Sequence, residues 1–282
     1  HFLDLAAVVT MILSRLLKVP YSLTAHANDI YVNPVLLREK VMDAEFVTTC
    51  TGYNYTHLLK MMEKQLGDKL HLVYHGIDVN NYIPPSVKPQ RARPLLLSIG
   101  RLVEKKGFPH LLAACRRLKD LGYDFECQIV GEGPLHQELQ ELIVQLGLED
   151  RVVLCGAIPH EMVIEKYKQA ILFVLPCVMA EDGDRDGIPN VLIESMAMQL
   201  PVVSTHLSGI PELVEDNVNG LLVSPGDEEA LTQALADLID NAAWRAELGE
   251  VGRQTVLQGF DVERNVRRMF ELFVRVQEGE GR

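Results

Sequence analysis

The two acids with the clearest chemical meaning stand in segment 177–203, where an acidic loop precedes the start of a helix. Asp186 and Glu194 are eight positions apart across a glycine-containing turn, which predicts that both carboxylates reach one ligand. Carboxylates accept hydrogen bonds from hydroxyl groups, while the free amides at the beginning of a helix suit phosphate. The turn and the helix start add four candidates, with the proline expected at the first helical position: Gly187, Ile188, Pro189 and Asn190.

A second candidate loop follows the apolar run "LLLSI" and has the sequence "GRLVEKKG". The chain enters it through Gly100, and Gly107 lets its backbone approach a ligand closely. Arg101, Lys105 and Lys106 place cations where a helix begins, although cations are unfavourable there for the helix itself. A bound anion would resolve this conflict, because it would meet the cations and the free amides together. A solvated basic loop is the alternative for this segment alone.

Three further features are weak when each is taken alone. The sequence "VGEGP" places Gly131 and Gly133 after a strand, either for ligand binding or as simple turn chemistry. His26 ends the strand sequence "YSLTA", where a structural histidine is the more common alternative. Calcium chelation is an alternative for the acidic loop with the string "DGDRDG", but the spacing of an EF-hand is absent.

Composition excludes several classes of protein. A net charge of −12 disfavours non-specific binding of nucleic acid, which requires clustered Lys and Arg. No uncharged apolar stretch reaches 18 residues, so no transmembrane helix is expected, and segment 2–17 is interpreted as a packed core helix. The cysteines form no C-x-x-C pair and no metal-ligand spacing with histidine, so buried reduced thiols in a cytosolic protein are expected: Cys50, Cys115, Cys127, Cys155 and Cys177.

These loops must be positioned by alternating strands and helices. Continuous apolar runs such as "ILFVL" indicate strands buried on both faces, and hence a parallel sheet covered by helices. The predicted fold class is therefore α/β, doubly wound. Strands are expected at 21–25, 46–50, 70–74, 94–99, 125–130, 151–155, 171–175, 201–204 and 220–223, and helices include 109–121, 135–146 and 190–198.

The proline-rich segment 80–94 predicts a linker between two domains. Residues 1–84 hold three strands, and they are interpreted as part of an incomplete first domain whose remainder lies upstream. Residues 85–282 hold a complete six-strand unit followed by C-terminal helices. Asp227, followed by two glutamates, is expected to begin the first of these helices.

Together, "GRLVEKKG", "VGEGP", "DGIPNVLIE" and "PVVSTHLSGIPELVEDNVNGLLV" resemble family 4 of the GT-B glycosyltransferases over nearly the whole chain. The family signature has two glutamates with seven residues between them, and Asp186 replaces the first one here. The segment "PYSLTAHANDIY" resembles the exopolysaccharide branch, close to colanic-acid-type enzymes. The implied fold is GT-B, with two Rossmann-like domains.

The resemblance implies a retaining glycosyltransferase that uses a UDP- or GDP-sugar and no metal. Arg101 and Lys106 would bind the diphosphate, and His26 would lie near the transferred sugar. Asp186 would contact sugar hydroxyls and Glu194 the ribose. The acceptor would be a glycan, lipid-linked in many relatives, which implies the cytoplasm and contact with the inner membrane face. The alternatives are a GT-B nucleotide-sugar epimerase and a non-catalytic nucleotide-sugar-binding protein.

Overall fold

The computed structural model describes residues 3–63, 65–87 and 89–278, and its strands form two parallel sheets. The nine predicted strands are confirmed, with bounds that differ by at most two residues. They are β1 (Ser22–Ala25), β2 (Phe46–Thr49), β3 (Leu70–Leu72), β4 (Leu95–Ile99), β5 (Glu126–Val130), β6 (Val152–Leu154), β7 (Leu172–Val174), β8 (Val202–Thr205) and β9 (Leu221–Val223).

The helices include the three predicted in the loop-bearing region, with bounds within one residue. They are α1 (Leu5–Leu17), α2 (Ala27–Tyr31), α3 (Leu37–Asp43), α4 (Gly52–Met61), α5 (Phe108–Asp120), α6 (His136–Gln145), α7 (His160–Gln169), α8 (Asn190–Ala197), α9 (Glu228–Asp240), α10 (Ala242–Gly259) and α11 (Val262–Glu278). Asp227 caps α9 as predicted, because its side chain accepts a hydrogen bond from the Ala230 amide.

The second sheet has the strand order β6-β5-β4-β7-β8-β9, which is the order of a doubly wound Rossmann-like unit. All five residues of β4 are buried, as expected for a strand covered by helices on both faces. The order reverses between β4 and β7, which pair through Leu96 and Leu172. Ligands bind in such folds at the carboxyl edge beside this reversal, so the loops after β4 and β7 are the expected site.

The first sheet has the order β1-β2-β3, with Ala25 opposite Thr49 and Thr49 opposite Leu72. One of its faces packs in a small core with α1, α3 and α4, including Val47 and Leu58. The α/β class and the two parallel sheets are thus confirmed.

Two segments pack across the predicted boundary at residues 84 and 85. Ile77 and Tyr82 belong to the core of the second unit, although they precede the boundary. Helix α11, assigned by sequence to the second domain, instead packs on the first sheet, where Phe273 meets Phe46 at a ring separation of 5.1 Å. The C-terminal helix therefore packs against the first unit, where Leu272 is buried with Phe46 and Val73.

Helix α1 differs from the core helix expected at 2–17, of which residue 2 lies outside the described residues. Only Ala7 and Met11 are buried, while Leu5 and Leu16 are 76% and 73% exposed. Apolar side chains surround this helix, but only the stripe with Ala7 and Met11 is buried, and Ala7 joins the small core of the first unit. Among the described residues, no helix combines the length and the apolar character that crossing a bilayer requires.

Candidate functional site

The loops after β4 and β7 meet at the reversal of strand order through an ion pair between Lys106 and Asp186. Lys106 Nζ lies 2.6 Å from Asp186 Oδ2, and the side chains are only 12% and 16% exposed. Lys106 ends a short 3-10 helix, Glu104–Lys106, and Asp186 lies in the loop before α8. The structure thus brings together the predicted phosphate-binding cation and the first acid of the predicted pair.

Lys105 extends this cluster. Its Nζ lies 2.8 Å from Asp184 Oδ2 and 3.5 Å from Asp186 Oδ1. Burial alone would lower the pKa of Lys105, but the bonds to the two carboxylates outweigh it and raise that pKa. Arg101 is exposed and makes no ion pair within the part of the chain that the structure describes. It therefore offers a cation available to an incoming anion.

Backbone packing explains the glycines of the first two loops. A Cβ on Gly131, whose φ is +144°, would lie 2.0 Å from the Gly100 carbonyl oxygen. A Cβ on Gly133 would lie 2.4 Å from the carbonyl oxygen of Leu102. These contacts hold the β4 and β5 loops against each other. Turn chemistry thus accounts for Gly131 and Gly133, and ligand contact at these positions and at Gly100 stays a prediction.

The turn before α8 is in place, with one correction. Pro189 is the N-cap residue, with ψ of 127°, and Asn190 is the first helical residue. Sequence analysis expected Pro189 to be the first helical residue. Its extended ψ instead leaves it just outside the helix, at the N-cap position. A Cβ on Gly187 would lie 3.0 Å from Thr51 Cγ2, so this turn contacts the first unit. Ile188 packs beside the core of the second unit.

The predicted convergence of Asp186 and Glu194 is not seen in their hydrogen bonds. Glu194 Oε2 accepts a bond from the Tyr167 hydroxyl at 3.0 Å. Glu194 also lies near Tyr82: burial is the main cause of the raised pKa of Tyr82, and the Glu194 carboxylate is the second cause. Among the described contacts, the two acids therefore have separate partners, and a ligand bridging them stays a prediction.

The first unit contributes His26, which follows β1 and is the N-cap residue of α2. Its Nδ1 lies 3.8 Å from Cys50 Sγ, and its ring centroid lies 5.3 Å from that of His75. Burial, followed by the nearby His75, lowers the pKa of His26 to about 4, so the imidazole is neutral at pH 7. Sequence analysis did not select Cys50 or His75 as site residues. Each one follows a predicted parallel strand, and this position could have indicated that they lie beside His26.

Contacts between the two units close around this region. The Arg185 guanidinium lies 3.9 Å from the centroid of the Tyr31 ring. The Glu212 carboxylate accepts bonds from the amides of Gly52 and Tyr53 at the start of α4, and from the Tyr74 hydroxyl. None of these contacts was predicted, because each joins residues far apart in sequence.

His75 and Asn190 line one cavity of about 320 Å³, together with α11 residues such as Val266. The carboxyl edges of both sheets therefore border a common cleft. The second unit carries the cation–carboxylate cluster after β4 and β7, and the first unit carries the neutral imidazoles of His26 and His75 after β1 and β3. This arrangement suits a ligand with an anionic part and a polyhydroxylated part.

Solved structures define the class to which this fold belongs. A sucrose-phosphate synthase from Thermosynechococcus elongatus superposes with a TM-score of 0.85 at 22% identity, covering 97% of this chain and 72% of that protein. HepE from Anabaena, solved with UDP and glucose, superposes with a TM-score of 0.80 at 22% identity, covering 95% and 75%. The fold is thus that of GT-B glycosyltransferases.

The sequence narrows this class to a family. The model of the glycosyl transferases group 1 family matches residues 79–255, and the chain belongs to that family. It is 43% identical over 169 residues to WcaL of Escherichia coli K12, named as a putative colanic acid biosynthesis glycosyltransferase. It is 42% identical over 179 residues to the amylovoran biosynthesis glycosyltransferase AmsK of Erwinia amylovora. These matches cover 60% and 62% of this chain but 42% and 43% of the relatives.

Proposed function

We propose that this protein is a retaining glycosyltransferase that moves a hexose-type sugar from a nucleotide-diphosphate sugar to a glycan in exopolysaccharide synthesis. The observation that carries the proposal is the Lys106–Asp186 pair of 2.6 Å at the reversal of strand order. A cation held there by a carboxylate can exchange its partner for a diphosphate. The names of WcaL and AmsK support the assignment to exopolysaccharide synthesis.

Donor binding uses the two loops of the second unit. Arg101 and Lys106 bind the diphosphate and stabilise the charge that develops on it as the sugar–phosphate bond breaks. The amides near Gly187 contribute further donors. Asp186 then turns to the sugar hydroxyls, and Glu194 exchanges its tyrosine partner for the ribose. The donor carries UDP or GDP; HepE was solved with UDP, which favours UDP as the first nucleotide to test.

Transfer follows front-face substitution without a metal cofactor. The departing diphosphate accepts the proton of the incoming acceptor hydroxyl, so the new bond forms on the face that the leaving group vacates. The anomeric configuration is therefore retained. His26, held neutral in its half-buried position, contacts the donor sugar and polarises it. Protein cations stabilise the negative charge of the leaving diphosphate, as a divalent ion does in other transferases.

The acceptor is a glycan, and we propose a lipid-linked one. Such an acceptor requires the protein to work in the cytoplasm at the inner face of the membrane, as a peripheral contact. The lipid linkage and the membrane contact follow from the family resemblance alone, while the names of WcaL and AmsK support only a polysaccharide product. Sedimentation of the full-length protein with anionic vesicles tests it, and failure to sediment counts against membrane contact.

The donor site is tested by calorimetry of the full-length protein with UDP, GDP and ADP. One nucleotide is expected to bind, and Arg101→Ala and Lys106→Ala are each expected to weaken it on the order of 10-fold or more, as for a lost charge-assisted contact. Lys119→Ala is the matched control, because Lys119 pairs with Asp150 away from both loops. Equal binding by all three variants would contradict the donor-site assignment.

Product analysis tests the reaction. Incubation with donor and acceptor is expected to give a product of retained configuration by NMR, and His26→Ala is expected to lower its rate. An inverted product, or unchanged turnover in His26→Ala, would contradict the mechanism. A sugar formed from the donor alone would instead indicate an epimerase, and binding without any product would indicate a non-catalytic nucleotide-sugar-binding protein.

A further inference from the structure

Three potential metal ligands lie side by side at the carboxyl edge of the first sheet. His26 comes directly after β1, Cys50 directly after β2, and His75 three residues after β3. The strands are parallel neighbours, with Ala25 opposite Thr49. Consecutive parallel strands bring the residues that follow them to one edge, about 4.8 Å apart per strand. The topology therefore gathers two imidazoles and a thiol that stand far apart in the sequence.

Their ligand atoms are close to the separations of a tetrahedral site. The nitrogen and sulfur atoms all lie within 4.8 Å of one another, and His26 Nδ1 is 3.8 Å from Cys50 Sγ. In a tetrahedral zinc site, bonds of about 2.3 Å to sulfur and 2.0–2.1 Å to nitrogen separate the ligand atoms by roughly 3.4–3.6 Å. His75 is exposed, so its ring has room to rotate toward the other two ligands when a metal binds.

We propose that His26, Cys50 and His75 form a binding site for one divalent transition-metal ion, with Zn²⁺ as the best match. Imidazole and thiolate ligands select zinc over the oxygen-preferring magnesium and calcium ions. Three protein ligands leave a fourth position open, as in zinc sites that bind water or a substrate. A thiol–imidazole hydrogen bond would explain the Cys50–His26 pair, but it would not explain His75.

The surroundings of the trio suit a cation. Burial, followed by the nearby carboxylates of Glu212 and Asp29, raises the pKa of the Cys50 thiol, so the thiol is protonated in the absence of a metal. The Asp29 carboxylate also accepts a hydrogen bond from the His26 amide at 3.0 Å, which fixes the backbone of the loop. Metal binding displaces the proton of the Cys50 thiol, which leaves to solvent, and the resulting thiolate bonds to the ion. The ion can enter along the cavity that His75 lines.

The site has a consequence that rests on the proposed function. A metal ion on His26 occupies the ring that would otherwise face the donor sugar, so metal binding and sugar transfer exclude each other. The ion therefore acts as an inhibitor of the reaction, which itself uses no metal. Metal binding can be measured without nucleotide or sugar, so its failure and a failure of the proposed transfer reaction are distinguishable.

Co²⁺ is the probe, because it takes the place of Zn²⁺ and is coloured. The full-length protein, freed of metal and kept reduced without added thiol, is titrated with Co²⁺. One equivalent is expected to produce a thiolate-to-cobalt charge-transfer band in the near ultraviolet and the visible bands of tetrahedral cobalt. Zn²⁺ is expected to displace it. Cys50→Ser is expected to remove the charge-transfer band, while Cys155→Ser, which changes a half-exposed cysteine of the second unit, keeps it.

A second variant covers the event that Cys50→Ser does not fold. His75→Ala is expected to weaken Co²⁺ binding at least about 10-fold, with circular dichroism confirming the fold. In the transfer assay, one equivalent of Zn²⁺ is expected to inhibit the parent protein, and a chelator to restore its rate. The proposal is overturned if the parent shows no charge-transfer band, if the band survives in Cys50→Ser, or if His75→Ala binds Co²⁺ as tightly as the parent.

Discussion

Lys106 and Asp186 form a bond of 2.6 Å that joins the loop after β4 to the loop after β7. Both side chains are largely buried, so the Lys106 charge depends on Asp186 for compensation, while Asp186 is also 3.5 Å from Lys105. In sequence the two residues are 80 positions apart. An anion that binds Lys106 must therefore take the place of the carboxylate that already holds this cation.

Removing the Asp186 charge is expected to separate binding from transfer. Asp186→Asn leaves Lys106 without its main carboxylate partner, so a nucleoside diphosphate alone should bind several-fold more tightly. Transfer should fall on the order of 100-fold, because positioning of the sugar is lost. Calorimetry and rate measurements on the same preparation check both outcomes.

Glu181→Gln is the matched control, since it removes the charge of an acid in the same loop. The Glu181 side chain is exposed. Its nucleotide affinity and rate should stay close to those of the parent. If Asp186→Asn binds the diphosphate no more tightly than Glu181→Gln does, the ion pair does not compete with the ligand.

Glu212 is expected to hold the two units together. Its carboxylate accepts bonds from two amides at the start of α4 and from the Tyr74 hydroxyl. Glu212→Gln can accept through only one oxygen, so we expect a loss of about 1–3 kcal/mol in the free energy of unfolding. Urea unfolding followed by fluorescence measures it. Glu215→Gln, at an exposed neighbouring acid, should change stability by less than about 0.5 kcal/mol.

Gly131 is expected to tolerate no side chain. A Cβ there would lie 2.0 Å from the Gly100 carbonyl oxygen, so Gly131→Ala must push apart two loop backbones. Gly183 is the control: its φ is also positive, at +84°, but a Cβ there would meet nothing within 4 Å. Gly183→Ala should cost about 1–2 kcal/mol from backbone strain alone. A melting temperature of Gly131→Ala equal to that of Gly183→Ala would show that the loop contact is unimportant.

Acid is expected to destabilise the protein through half-buried histidines of the first unit. Burial lowers the pKa values of His57 and His71 below the ordinary value of 6.5. Below pH 6.5 the unfolded chain therefore binds more protons than the folded one, and the free energy of unfolding falls as the pH decreases. The contribution of the neutral histidines to the free energy of unfolding is fully retained above pH 6.5, the pKa of the unfolded chain.

Denaturant unfolding across pH 7 to 5, in the presence of a chelator, measures this slope. Each histidine can contribute at most about 1.4 kcal/mol per pH unit, and less where solvent reaches the ring. His57→Gln and His71→Gln should each flatten the dependence, and the double variant should flatten it further. A double variant with the slope of the parent would contradict the assignment.

Apolar periodicity was sufficient to predict the nine strands and the α/β class. A run such as "LLLSI" in β4 is buried on both faces and can therefore be recognised without knowing its neighbours. Capping residues likewise act locally, as Asp227 does at the start of α9. The environment of a whole helix was harder to predict. Helix α1 has the apolar composition of a core helix, but only Ala7 and Met11 of it are buried. Helix α11 packs against the first sheet, although the sequence placed it with the second domain.

The sequence by itself determined the strands, the order of loops along the chain, and which loops carry cations, acids and glycines. These features depend on residues within one or two turns of each other. Only the tertiary structure decided that Lys106 holds Asp186 and that Glu194 instead bonds Tyr167. It also decided that Cys50 lies beside two histidines. The reason is that parallel strands need long crossover connections, so the residues that meet at a sheet edge are far apart in the chain.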